Sequence, residues 1–71
     1  MTPAEAAAVQ AHLRRLLGNQ QITVAKPARK NASVELRVGE EFIGTIHRDE
    51  EDGEVSYDVR IVVLSEDLEG A

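Results

Sequence analysis

Four groups of residues in this 71-residue chain have types that chemistry uses: two histidines, an acidic run, a basic cluster and several glycines. His12 and His47 are the side chains that titrate nearest neutral pH. A general base must reach the proton it removes, and it usually needs an orienting partner. The pattern puts His12 on the polar side of a helix and His47 on a sheet face turned from the core. It sets no nucleophile or carboxylate beside either. Both read as solvated surface histidines, and no catalytic residue is assigned. Cysteine is absent, which excludes thiol catalysis, cysteine-held zinc and disulfides.

The run Asp49-Glu50-Glu51-Asp52-Gly53-Glu54 offers oxygen ligands to a divalent cation. Its spacing departs from an EF-hand loop, which takes ligands at alternate positions over twelve residues. A solvated hairpin tip that discourages edge aggregation is the plainer reading, and no metal ligand is assigned. Lys26, Arg29 and Lys30, with Arg14 and Arg15, have the charge to meet phosphate. No nucleic-acid motif accompanies them. The two aromatics, Phe42 and Tyr57, fall on the expected core face and leave no stacking surface. Nucleic acid is therefore not an expected partner. Gly39, Gly44 and Gly53 precede no helix N-terminus, so they form no phosphate loop. No cofactor is expected.

The elements that position these residues are legible in the periodicity. Thr2 is a helix N-cap, Pro3 suits the first helical position, and Glu5 completes a capping box. Ala6, Val9, Leu13, Leu16 and Leu17 form one apolar stripe, with Glu5, Ala8, His12 and Arg15 opposite. Gly18-Asn19 stops the helix. The spacing predicts a helix over 3–17. The period then changes to 2, giving strands at about 21–25, 33–38, 42–47 and 54–64 and an acidic tail, 65–71, that frays or is briefly helical. The fold class is α+β: one N-terminal helix on one face of a four-stranded, mostly antiparallel sheet, in a single domain of residues 1–71.

Register follows from the alternation. A three-residue loop at 39–41 sets Val38 opposite Phe42, Leu36 opposite Gly44 and Val34 opposite Ile46. A two-residue loop would place Glu41 on the apolar face, a costly burial. A six-residue loop over 48–53 sets Gly44 opposite Tyr57, whose ring would then cover the glycine, and Phe42 opposite Val59. The expected sheet core comprises Ile22, Val24, Val34, Leu36, Val38 and Phe42, followed by Ile46, Val55, Tyr57, Val59, Ile61 and Val63. A core this small does not enclose a ligand pocket of about 300 Å³ or more.

The outer sheet face is polar except at Ile43, Val62 and Leu64. One helix covers only one sheet face, so these three residues form the candidate protein-interaction surface, for a protein partner or a homodimer. Charge is polarised along the chain. Residues 1–39 carry six basic and two acidic side chains, and residues 40–71 carry two basic and eleven acidic ones. The totals of +4 and −9 sum to the net −5. No stretch approaches the roughly 18 apolar residues of a membrane span, and the N-terminus lacks the pattern of a signal peptide. A cytoplasmic location without membrane contact is expected.

The runs Val38-Gly39-Glu40-Glu41-Phe42-Ile43-Gly44 and Asp52-Gly53-Glu54-Val55-Ser56-Tyr57, with the Thr2-Pro3 opening and the closing Leu64-Ser65-Glu66-Asp67-Leu68, resemble a family of small alphaproteobacterial proteins, the domain-of-unknown-function family DUF3126. The resemblance implies a free-standing bacterial cytosolic protein. It brings no established activity, so it assigns no site residue. Three readings stay open. The first is a non-enzymatic interaction or regulatory module, the second a ligand or cation binder using 49–54, and the third and weakest an enzyme.

Overall fold

The helix α1 spans Pro3–Leu17 and starts where its capping box dictates. The Glu5 N–H donates to Thr2 Oγ1 at 3.1 Å, and the Thr2 N–H donates to Glu5 Oε1 at 3.0 Å. Met1 and Ala6, flanking that box, are both buried in the core, at the two positions of a hydrophobic staple. Gly18 closes the helix in the left-handed region, with φ 63°. The computed structural model describes residues 1–29 and 32–69. After α1 come β1 (Ile22–Val24), β2 (Val34–Val38), β3 (Glu41–Glu51), β4 (Glu54–Ile61) and the short α2 (Ser65–Glu69). The strands form one antiparallel sheet in the order β1-β2-β3-β4. This is the expected helix followed by a meander.

The β2–β3 hairpin corrects the expected loop. Val38 pairs with Glu41 across a two-residue turn, while Leu36 pairs with Gly44 and Val34 with Ile46, as expected. A bulge beside Leu36 and Arg37 reconciles the two. The extra residue, Ile43, supplies the displacement that a longer loop would have given. It also settles the charge problem. Glu41 is exposed, Phe42 is 49% exposed and outside the core, and Ile43 packs half-buried against the core in its place.

The β3–β4 hairpin corrects the expected six-residue loop. Strand pairing runs out to Glu51–Glu54, leaving only Asp52 and Gly53 in the turn. Both have positive φ, 53° and 82°, as a type I′ turn requires. Ile46 therefore faces Val59, Gly44 faces Ile61, and Tyr57 faces Arg48. The register differs from expectation by an even number, so each β4 residue keeps its face while changing its partner. Phe42 does not face Val59, and Tyr57 does not cover Gly44. What lies against Gly44 is backbone: a Cβ there would stand 1.8 Å from the Arg60 carbonyl oxygen.

The core is smaller than the alternation suggests. Its buried members are Met1, Ala6 and Leu13 from the helical end and Ile22, Val24, Val34, Leu36 and Ile46 from the sheet. Val9, Val38, Ile43 and Tyr57 pack against it half-buried. Val55, Val59, Ile61 and Val63, expected inside, are exposed. Val63 has also left the strand, because β4 ends at Ile61 and not at residue 64. Leu16 and Leu17, expected in the helix stripe, are exposed as well. The tail forms a brief helix over 65–69, and its last two residues lie outside those described.

Gly44→Ala is expected to destabilise the fold by at least the ~1–3 kcal/mol typical of overpacking, because the clash is with backbone that no rotamer change relieves. Urea unfolding checks this; an unchanged midpoint would contradict the close approach of β4.

Candidate functional site

The position of α1 on the sheet decides which surface stays bare. Two sets of polar contacts fix it. Near its N-terminus, Glu5 Oε2 accepts from Arg48 Nε of β3 at 2.8 Å and from the Tyr57 hydroxyl of β4. Further along, Gln10 Oε1 accepts from the Val24 N–H at 3.0 Å, and Arg14 Nε donates to the Ile22 carbonyl at 2.8 Å. Gln10 and Arg14 are four residues apart and share a helix face. They occupy a donor and an acceptor on the outer edge of β1. The helix thus crosses diagonally, from β4 at its start to β1 at its end.

That diagonal leaves β4 uncovered beyond Tyr57. Val59 is 39% exposed and Ile61 54%, although both lie on the core-side face. An open trough of about 520 Å³ runs between α1 and β4, walled by Ala4, Ala8, Val9 and Leu13 on one side and by Tyr57 and Val59 on the other. Chain size argues against an enclosed pocket of that volume; the space exists as an open groove because the helix tilts away. A second trough of about 700 Å³ brings together Ile43, Val62 and Leu64, the expected interaction surface, with Phe42, Ile61 and Val63. Val62 and Leu64 are exposed, but Ile43 is turned by the bulge toward the core and does not stand on the outer face.

A family model described as "Protein of unknown function (DUF3126)" matches residues 5–67. The chain belongs to the DUF3126 family. No curated protein and no solved structure matches it. In this DUF3126 domain the matched stretch takes in Glu5, Arg48 and Tyr57, all four strands, the second trough and every named wall of the first except Ala4.

The remaining chemistry-bearing residues are dispersed. His12 is exposed on the rim of the first trough. His47 is exposed on the outer face, where Nδ1 lies 3.3 Å from Ser33 Oγ and Asp58 is its cross-strand partner. This corrects the expectation that no hydroxyl or carboxylate stands beside it. The expected pairing of Val34 with Ile46 already brings Ser33 opposite His47; the Asp58 neighbour comes from the β3–β4 register, which differs from expectation. The acidic residues lie along two paired strands except Asp52, which is in the turn, and Glu50 accepts from Arg48 at 3.4 Å. Among the described residues, no group of three or more acidic or histidine side chains is placed to hold a metal ion. Arg14 is committed to β1, Lys26 and Arg29 are exposed, and Lys30 lies outside the described residues.

Sequence reasoning misses the Glu5 clamp, and it misses Gln10 and Arg14. A capping-box glutamate already has an assigned role, and nothing in the local pattern signals a second one. The Tyr57 hydroxyl, the Thr2 amide and the Arg48 guanidinium together hold the Glu5 carboxyl at about 2, against an ordinary 4.5. The same contact, together with partial burial, raises the Tyr57 phenol.

The Glu5 contribution to stability is complete above pH 4.5 and is lost as pH falls toward 2, because the folded chain holds that carboxyl ionised where the unfolded chain would protonate it. Thermal unfolding should therefore show a decline across this window that Glu5→Gln lacks. In a carboxyl-carbon NMR titration, Tyr57→Phe should move the Glu5 midpoint upward. A midpoint that stays in place would show that Tyr57 is not its main stabiliser.

Proposed function

We propose that this DUF3126 chain is a non-enzymatic protein-interaction module of the bacterial cytoplasm, and that its working surface is the bare core-side face of β4. The observation that carries this reading is the exposure of Val55, Val59 and Ile61 on a face that the same sheet buries at Ile46 and Leu36. A contiguous apolar patch of this kind, rimmed by polar residues, is the usual mark of a protein contact. The trough beside α1 and the exposed Leu17, which lines a cleft with Val59 and Ile61, extend it. Ile43, Val62 and Leu64 continue it past the end of β4.

The alternatives draw less support. A cation site over 49–54 would need its carboxylates to converge on one point; Asp49, Glu51 and Glu54 share a face of the hairpin, but among the described residues no three acidic or histidine side chains are placed to hold a metal ion. Hydrolytic chemistry at His47 would need an orienting partner and a group to stabilise developing negative charge. The Ser33–His47 contact instead lies on an open, solvent-facing side of the sheet.

Val59→Asp is expected to abolish association with any protein partner while leaving the fold intact, since Val59 is already partly in water. The check is capture on the tagged chain, read by mass spectrometry beside a circular dichroism spectrum of the variant. Equal association by a folded Val59→Asp chain, or a wild type that associates with no protein at all, would sink the reading.

A further inference from the structure

The two edges of the sheet are unequal. Gln10 and Arg14 block the outer edge of β1, but β4 is the other edge and its eight residues contain neither proline nor lysine, two common devices that discourage edge pairing. Its hydrogen-bonding sense can be read directly. The Val62 N–H donates inward to the Ile43 carbonyl of β3 at 2.8 Å, so the backbone groups of even-numbered β4 residues face β3. Those groups alternate in direction along a strand. The N–H and C=O groups of Val55, Tyr57, Val59 and Ile61 therefore point away from the sheet.

The sequence of this edge complements itself about Tyr57. One residue to either side lie Ser56 and Asp58, a donor and an acceptor. Two residues away lie Val55 and Val59. Three residues away lie Glu54 and Arg60, which carry opposite charges. A two-fold axis through Tyr57 would thus set unlike partners opposite each other on the outer face and valine opposite valine on the bare face. Neighbouring registers are worse. An axis at Asp58 sets Asp58 against itself, and an axis at Arg60 does the same with arginine; like charges directly opposite destabilise a sheet. An axis at Val59 pairs Asp58 with Arg60 but shortens the overlap within β4 to residues 57–61. The Tyr57 axis also answers a repulsion within the chain. Glu51 and Glu54 are cross-strand partners of like charge, and Arg60 of the second copy would come to rest beside Glu54.

We infer that the partner of the β4 surface is a second copy of this chain, joined edge to edge by antiparallel pairing of residues 54–60 about Tyr57 into one continuous eight-stranded sheet. This rests on the interaction reading above and names its partner. A standard interface takes about 800 Å² from each partner, about one-seventh of the 5467 Å² surface of the chain. The ladder and the valines flanking the axis are the parts of β4 that would be drawn from water.

Sedimentation velocity on the full chain is expected to give twice the 7.8 kDa mass of one copy. Val59→Pro removes an N–H that points outward and leaves the β3–β4 ladder untouched, a position where an edge strand accepts proline; it is expected to be folded and monomeric. Arg60→Glu is expected to raise the dimer dissociation constant about tenfold, since it sets like charges opposite at both symmetric sites, and adding Glu54→Arg to it should restore pairing. A folded Val59→Pro chain that remains dimeric would overturn the edge pairing, as would rescue of Arg60→Glu by Asp58→Arg in place of Glu54→Arg. A wild type that is monomeric yet binds a different protein through Val59 would overturn the second copy and leave the interaction reading standing.

Discussion

The carboxylate of Glu5 governs both where the helix begins and how it lies on the sheet. One oxygen accepts from the Thr2 amide and closes the capping box; the other accepts from Arg48 and Tyr57 on the two C-terminal strands. A local signal and a contact spanning 52 residues thus meet in one group. Charge-assisted hydrogen bonds of this kind are stronger than neutral ones, and the Glu5–Arg48 pair is only partly shielded, with about a quarter of the Glu5 side chain and a third of that of Arg48 still exposed. Its weight in the structure is geometric. Anchoring the start of α1 over β4, while Gln10 and Arg14 hold its later turns to β1, sets the helix on a diagonal.

The extent of the core follows from that diagonal. A chain of 71 residues buries a smaller share of its surface than a larger domain does. Here the helix spends its apolar stripe on β1 and the middle of the sheet. Ile46, fully buried, sits where helix and sheet are closest to complete, and the buried set thins toward β4. The apolar face of β4 is a continuation of the core that the single helix does not reach. The exposure of Val59 and Ile61 is therefore built into the architecture and does not reflect loose packing.

Much of this is legible in the sequence. The helix ends are written in Thr2, Pro3, Glu5 and Gly18, and each strand is written in its alternation, because caps and pleats act over a few residues. Registers are harder, since they depend on compensation between sites. The two-residue turn after Val38 is tolerable only because Ile43 bulges, and a bulge has no signature in an alternating run. The acidic residues 49–51 read as loop by composition, yet they extend β3, because the Asp52-Gly53 turn selects tight pairing. The bare face of β4 is the least legible feature. Alternation shows that Val55, Val59 and Ile61 share a face with the core. It carries no information on how far one helix reaches across that face, which Glu5, Gln10 and Arg14 decide through contacts distant in sequence.

The contacts that Gln10 and Arg14 make with β1 have a consequence for assembly. A sheet with two open edges can accept a neighbour on each side and grow without limit, which is the route to fibres. With β1 occupied by its own helix, this sheet can be extended from β4 alone. Any growth by strand addition is then self-limiting: once one neighbour has docked, the joined sheet presents a helix-blocked strand at both ends. Two helical side chains thereby act as chain terminators for a surface that would otherwise be open to polymerisation.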